Sequence, residues 1–323
     1  MKTLTFILIF FLQSCATDSQ RKGRYALNRM GVDVQSNGQI QDKLLPKIEN
    51  NQNEKNSVGP FPENNNDSYL TNKKKSNKAV IGLILGPGIN RVLCHIPILK
   101  ELETQGRRIH IITGTGLGAL VASMYATGIS PDKIEWIFFN FSRKVENLKP
   151  FSKEWIKIAR DVLLKTFKNK KIQSAKIRLA IPKYKKSKRK VEYITRGQMY
   201  DLLLKEHLSF NSLNNLGSFA PFQKEIFNQT ELQKLGADKT IAVDVLDNKI
   251  DFETTDHYLT GVFGRITGII RREKETIDLF VTMNSLGMPL DSTKGLPEYL
   301  QKCMVKSRDV VQNIKAVLEE SIK

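Results

Sequence analysis

The segment HIITGTGLGALVASMYATG, residues 110–128, restricts the possible folds more than any other part of the chain. An apolar strand run enters a tight glycine turn and leaves as a helix of small side chains. That is the shape of a nucleophile elbow, in which a strained strand–turn–helix holds a serine at Gly-x-Ser-x-Gly. Here the five residues are Gly114-Thr115-Gly116-Leu117-Gly118. The position that should carry a hydroxyl carries only hydrogen.

The surroundings repeat the same alternation. AVIGLILG (79–86) reads as a buried strand, and VLCHIPILKELETQG (92–106) as a helix. RIHIITG (108–114), AKIRLAI (175–181), KTIAVDVL (239–246) and IDLFVTM (277–283) read as further strands. A helix follows the elbow. Another begins at SPDKIEW, with Ser130 as N-cap and Pro131 at the first helical position. KEWIKIARDVLLKTF (153–167) is amphipathic, and residues 296–322 place Leu300, Met304, Val311, Ile314, Leu318 and Ile322 on one helical face. Strands alternating with helices predict an α/β fold of three layers, a mainly parallel sheet with helices on both faces. The folded domain is expected over 78–323.

Its N-terminal side differs. MKTLTFILIFFLQSC pairs a basic Lys2 with an apolar run from Leu4 to Leu12 that is too short to span a bilayer and reads as a signal-peptide core. Leu12-Gln13-Ser14-Cys15 resembles a bacterial lipobox, which predicts a signal peptide over 1–14 and lipidation of Cys15. Ala16, rather than Asp, follows the cysteine and favours the outer over the inner membrane of a cell envelope. Residues 15–77 are rich in Asn, Gln, Lys and Ser without an apolar period, a composition that cannot offset its own ordering entropy. They are expected to form a flexible polar tether, with an r.m.s. span of about 40–45 Å for some 60 residues.

Three blocks in order resemble the patatin-like phospholipases. Leu85-Gly86-Pro87-Gly88-Ile89-Asn90-Arg91 with Val92 to Leu99 is similar to the family's Gly-rich loop. Residues 114–128 are similar to its nucleophile segment, and Leu235 to Val245 to its L-G-A-D-x-x-I-A-V-D-V strand. The resemblance implies a patatin-like fold and a serine–aspartate dyad attacking a lipid ester, with loop amides stabilising the oxyanion. It also implies which parts are missing. Gly116 stands at the nucleophile's position. No Asp occurs from Leu202 to Ala237, and an ungapped count places Ala220 where the aspartate would sit. Pro87 has no N–H to donate in the oxyanion loop, and Val92 replaces a glycine. Losing one oxyanion donor already costs roughly 10²–10³ in rate.

The expectation is therefore a pseudoenzyme with a vestigial oxyanion loop (Gly86, Pro87, Gly88, Arg91) and a vestigial elbow (Gly114, Thr115, Gly116, Gly118). It would bind lipid or a protein partner at an envelope membrane. The alternative is an active lipid acyl hydrolase with another nucleophile. Thr115 is not the residue the turn aims, Ser123 lies inside the helix, and Ser218 on the replacement loop is the hardest to exclude. His95 reads as a packing residue and Cys94 as a small buried hydrophobe. Cys94 and Cys303 could pair in an oxidising compartment, though both fall at helical, buried positions, which counts against it. The four histidines (95, 110, 207, 257) show no ligand spacing, so neither a metal nor another cofactor is expected.

Charge adds a second candidate surface. Of a net +18, twelve Lys/Arg and no acidic residue fall within 165–190. The density peaks at Lys183, Lys185, Lys186, Lys188, Arg189 and Lys190, read as an exposed turn between two strands. Such a run suits an anionic lipid surface, at about 1 kcal/mol per basic residue. Nucleic acid is not expected, because a signal peptide precedes the run and only Tyr184 and Tyr193 interleave with it.

Overall fold

The computed structural model describes residues 79–208, 224–246, 250, 257–283 and 288–320. β1 (Ile81–Leu85) is buried along its whole length, as a strand in the middle of a parallel sheet must be. It lies between β2 (Ile111–Gly114) and β5 (Lys239–Asp244), both parallel to it. Leu85 is level with Gly114 on one side and with Val243 on the other. Three strands therefore end along one edge of the sheet, and the glycine segments that follow β1 and β2 meet there. β3 (Arg178–Lys185) and β6 (Leu279–Thr282) extend the parallel sheet. β4 (Lys190–Ile194) closes it as an antiparallel edge, in the order β4-β3-β2-β1-β5-β6.

Helices cover both faces. α1 (His95–Thr104), α2 (Leu117–Ala126), α3 (Pro131–Val145) and α4 (Lys153–Phe167) come from the first half of the domain. α5 (Met199–Leu203) runs into a π-helical turn, Leu204–Leu208. α6 (Gln229–Lys234), α7 (His257–Glu273) and α8 (Leu296–Glu320) come from the second. A Cβ on Gly114 would strike Gly118 at the start of α2, whereas one on Gly82 would strike Leu232 of α6. Gly114 is in register with Leu85, an odd position of β1, and Gly82 is an even one. Since side chains alternate along a strand, α2 and α6 lie on opposite faces.

The expected cap at Ser130 is present, and Ser152 adds a second. Ser130 Oγ accepts the Lys133 N–H at 3.4 Å and Ser152 Oγ that of Trp155 at 3.3 Å. Other expectations need correction. Residues 92–106 are not one helix: a 3₁₀ turn (Asn90–Cys94) precedes α1. Starting at His95 puts Pro97 in the first turn, where its missing N–H breaks no helical bond. On α8, Leu300, Val311 and Ile314 are buried as expected, but Met304 is 48% exposed. Cys303, Ser307 and Val310 take the inner positions instead, one residue earlier in the stripe; Ile322 and the side chain of Leu318 lie outside the described residues. Nor are the two cysteines separate. Cys94 and Cys303 form a disulfide with a Cα–Cα distance of 5.3 Å. The buried faces that suggested isolated thiols are the faces on which α8 packs against the start of α1. α7 was not anticipated, because Gly261, Gly264 and Gly268 interrupt its pattern; Leu259, Val262, Phe263, Ile266, Ile269 and Ile270 are its buried stripe.

Candidate active site

The elbow retains its geometry. Gly116 stands between β2 and α2 at φ 55° and ψ −134°, a combination that a residue with Cβ adopts only at a cost of about 1–3 kcal/mol. Its flanking glycines are required by contact. A Cβ on Gly114 would lie 2.6 Å from the Gly118 carbonyl oxygen, and one on Gly118 would lie 2.7 Å from the Leu85 oxygen and closer still to that of Gly86. The Thr115 N–H donates to the Leu85 carbonyl at 3.0 Å, which holds the turn against the end of β1. The Thr115 and Ser123 side chains are buried within this packing.

The loop after β1 is held by four hydrogen bonds. The Gly86 N–H donates to the Val243 carbonyl at 2.9 Å, and Pro87 has none to give. His95 Nε2 lies 2.9 Å from the Gly86 carbonyl oxygen and must donate to it. Burial lowers its pKa from 6.5 to about 4, so this is a neutral ring bracing the loop. Arg91 turns its buried guanidinium to the Met288 and Leu246 carbonyls at 2.8 and 2.6 Å. It ties the loop to the far side of β5. Thus the Gly86 amide and the Arg91 guanidinium are committed to the fold.

Between loop and elbow, Pro87, Gly88, Gly116, Leu117, Phe151, His207 and Phe263 are among the residues lining a cavity of about 20 Å³, room for about one water. Besides Phe263 on α7, two of these escaped the sequence reading. Phe151 sits at φ 64°, a left-handed conformation rarely held by a bulky residue. His207, in the π-helical turn, is buried, and its Nε2 lies 3.0 Å from the Pro182 carbonyl oxygen. A carbonyl only accepts, so Nε2 carries the proton and Nδ1 is a bare acceptor, without a partner among the described residues. Burial lowers this pKa also to about 4. Histidine spacing could not reveal it, because what matters is a helical bulge that brings position 207 to the elbow.

Ser218 and Ala220 lie outside the described residues. Just beyond them, Glu273 at the end of α7 accepts the N–H groups of Ile226 and Phe227 at 3.1 and 2.8 Å. Burial is the larger influence on this carboxyl and raises its pKa to about 7. The basic hairpin folds as a strand pair around a 3₁₀ turn (Lys186–Lys188). Two of its charges are paired: Lys185 and Lys188 lie 3.5 and 3.3 Å from Glu192. Lys183, Arg189 and Lys190 are exposed. The hairpin and the elbow do not form one site.

A family model described as patatin-like phospholipase matches residues 83–265. The lysophospholipase NTE1 of Kluyveromyces lactis is 46% identical over 70 residues, 22% of this chain and 5% of that protein. That of Scheffersomyces stipitis is 36% identical over 83 residues, 26% of this chain and 5% of that protein. The chain thus spans only about a twentieth of these relatives. Among solved structures, VipD from Legionella pneumophila is similar at TM-score 0.42 and 9% identity, covering 76% of this chain and 67% of that one. The ExoU–SpcU complex of the Pseudomonas aeruginosa type III secretion system is similar at TM-score 0.38 and 11% identity, covering 75% and 52%.

Proposed function

This chain belongs to the patatin-like phospholipase family, and we propose that it is a member that has kept the elbow's shape without its nucleophile. In this reading it binds lipid or a protein partner without hydrolysing an ester, and it is tethered through lipidated Cys15 to an envelope membrane, the outer one in preference to the inner. The observation that carries the proposal is Gly116 itself. Its backbone occupies the strained turn, yet it offers nothing to acylate, and covalent ester hydrolysis needs an activated side-chain nucleophile. The disulfide supports the location, since such bonds persist in oxidising compartments. It also leaves Cys15 as the one unpaired cysteine of three.

The test is labelling with a fluorophosphonate probe beside fatty-acid release from a lysophospholipid, the substrate to which the relatives' name points. Wild type and Gly116→Ser should both stay at background, and Gly116→Ser should lose about 1–3 kcal/mol of stability from the turn. Specific labelling of wild type would overturn the proposal. Cys15→Ser should shift the protein out of the membrane fraction; unchanged fractionation and unchanged mass would remove the anchor from it.

A second reading rests on His207. A bare Nδ1 beside a water-sized cavity at the elbow could act as a general base for direct hydrolysis without an acyl-enzyme. Lysophospholipid turnover that resists fluorophosphonate and disappears in His207→Gln would favour it.

A further inference from the structure

α3 and α4 are joined by a short connection and run antiparallel. Phe141, late in α3, meets Trp155, early in α4, at 5.0 Å between ring centres. Thr127, just before α3, receives a hydrogen bond from Lys170, just after α4, at 3.4 Å. Between the two helices lies an open groove of about 740 Å³, a volume ordinary for a small-molecule site. Its floor is apolar: Ile137 and Phe141 from α3, Ile158 and Val162 from α4. Trp136, 58% exposed, stands on its rim.

The antiparallel pairing gathers charge at one end. Lys133 opens α3, while Lys165 and Lys170 close α4 and its extension, and all three line the groove. None of them makes an ion pair among the described residues. Neighbouring Lys100, by contrast, is paired with both Asp132 and Glu135. Lys133 Nζ lies 4.1 Å above the Trp136 ring, and burial lowers the pKa of Lys170. Lys144 lies toward the other end, and Asp161, one turn before Lys165, is the only acidic residue lining the groove among the described residues. Lys170 is half-buried while Lys133 and Lys165 are exposed, so an anionic head here would meet one partly desolvated ammonium flanked by two solvated ones, none held by a carboxylate among the described residues.

We propose that this groove binds a single-chain anionic amphiphile, its phosphate or carboxylate head against Lys133, Lys165 and Lys170 and its hydrocarbon along Ile137, Phe141, Ile158 and Val162. From Lys133 to Lys144 the groove runs roughly 16 Å at 1.5 Å per residue. The head site differs from the hairpin, where Glu192 already answers two of the lysines. The proposal holds whether or not the elbow hydrolyses esters, because it concerns another surface. It also has a physical link to the elbow. Ile137, Phe141 and Val162 form one wall of a small apolar cavity whose opposite wall includes Leu117, the residue after Gly116.

Titration calorimetry with dodecyl phosphate below its micellar concentration tests this, since a phosphate monoester offers no acyl bond to cleave. Wild type should bind one equivalent. The variant Lys133→Gln/Lys165→Gln/Lys170→Gln should bind at least tenfold more weakly, and Ile158→Asn should weaken binding similarly. Inorganic phosphate alone and dodecanol should each bind at least tenfold more weakly than the amphiphile, because head and chain are both needed. Lys183→Gln/Arg189→Gln on the hairpin should leave the affinity unchanged. Quenching or shift of Trp136 emission in Trp155→Phe, which leaves one tryptophan of the two, should follow the same curve. Equal affinity of wild type and the triple variant, or binding seen only to phosphatidylglycerol vesicles and never to the monomer, would overturn the proposal.

Discussion

At the elbow one added carbon is too many, whereas in the α3–α4 groove about 740 Å³ stands open between side chains. Both regions belong to the same packed layers, and Leu117 and Phe141 line opposite walls of one small cavity between them. Yet their residues obey different constraints. The elbow is specified by backbone: close approach of α2 to β1, a left-handed φ, and carbonyls braced by buried rings. The groove is specified by which side chains two amphipathic helices leave uncovered, so its chemistry can vary without cost to the fold. A protein that loses catalysis can retain the first for its architecture and use the second for binding.

Three substitutions would break or sharpen this contrast. The largest effect is expected from Gly118→Ala. Its Cβ would meet backbone oxygens of Leu85 and Gly86, which cannot rotate away, so the loss should be about 3 kcal/mol, at the upper end of overpacking costs. Chemical denaturation reads it directly, and a loss below ~0.5 kcal/mol would mean the elbow is not tightly specified.

An effect of similar total size, spread over pH, should come from the buried histidines. His95 and His207 stay neutral in the fold down to about pH 4, whereas unfolded histidine takes a proton near 6.5. Stability therefore falls as pH drops through that window. Glu273 acts in the opposite sense. Its folded carboxyl keeps its proton up to about pH 7, so the stability it contributes below the ordinary carboxyl range is lost as pH rises. For these three groups, two histidines less one glutamate leave a net of about one proton, or about 1.4 kcal/mol per pH unit between pH 4.5 and 6.5. The downward shift of His110 and the upward shift of Glu206 act in opposite senses to one another. His207→Gln, whose amide can still donate to Pro182, should nearly flatten that part of the profile. An unchanged slope would show that His207 is protonated in the fold.

The smallest effect should be on the stability of the groove variant. Replacing Lys133, Lys165 and Lys170 by Gln should change it by no more than about 0.5 kcal/mol. A loss of several kcal/mol would mean that the lysines hold the helices together rather than await a ligand.

Much of the frame was legible because short-range rules decide it. Ser130 caps the helix it precedes, α4 spans Lys153–Phe167 as its periodicity indicated, and the apolar runs became neighbouring parallel strands. The errors share one origin. Met304 and Cys303 differ by one helical step, and only the line of contact between α8 and α1 decides which faces inward. The disulfide depends on the same contact. His207 was passed over because spacing along the chain says nothing of a bulge that turns a side chain toward the elbow.

The sequence by itself determined the layered α/β class, the family, the preserved turn and the absent hydroxyl at Gly116, since each is a property of residue types at fixed local spacing. The tertiary structure alone decided which of many lysines face an open groove and which face Glu192, which cysteines pair, and which histidine lines the cavity at the elbow. Those are relations between segments tens to hundreds of residues apart. Local chain chemistry sets what each segment can become, but only packing brings distant side chains within the few ångströms over which charge, burial and hydrogen bonding act.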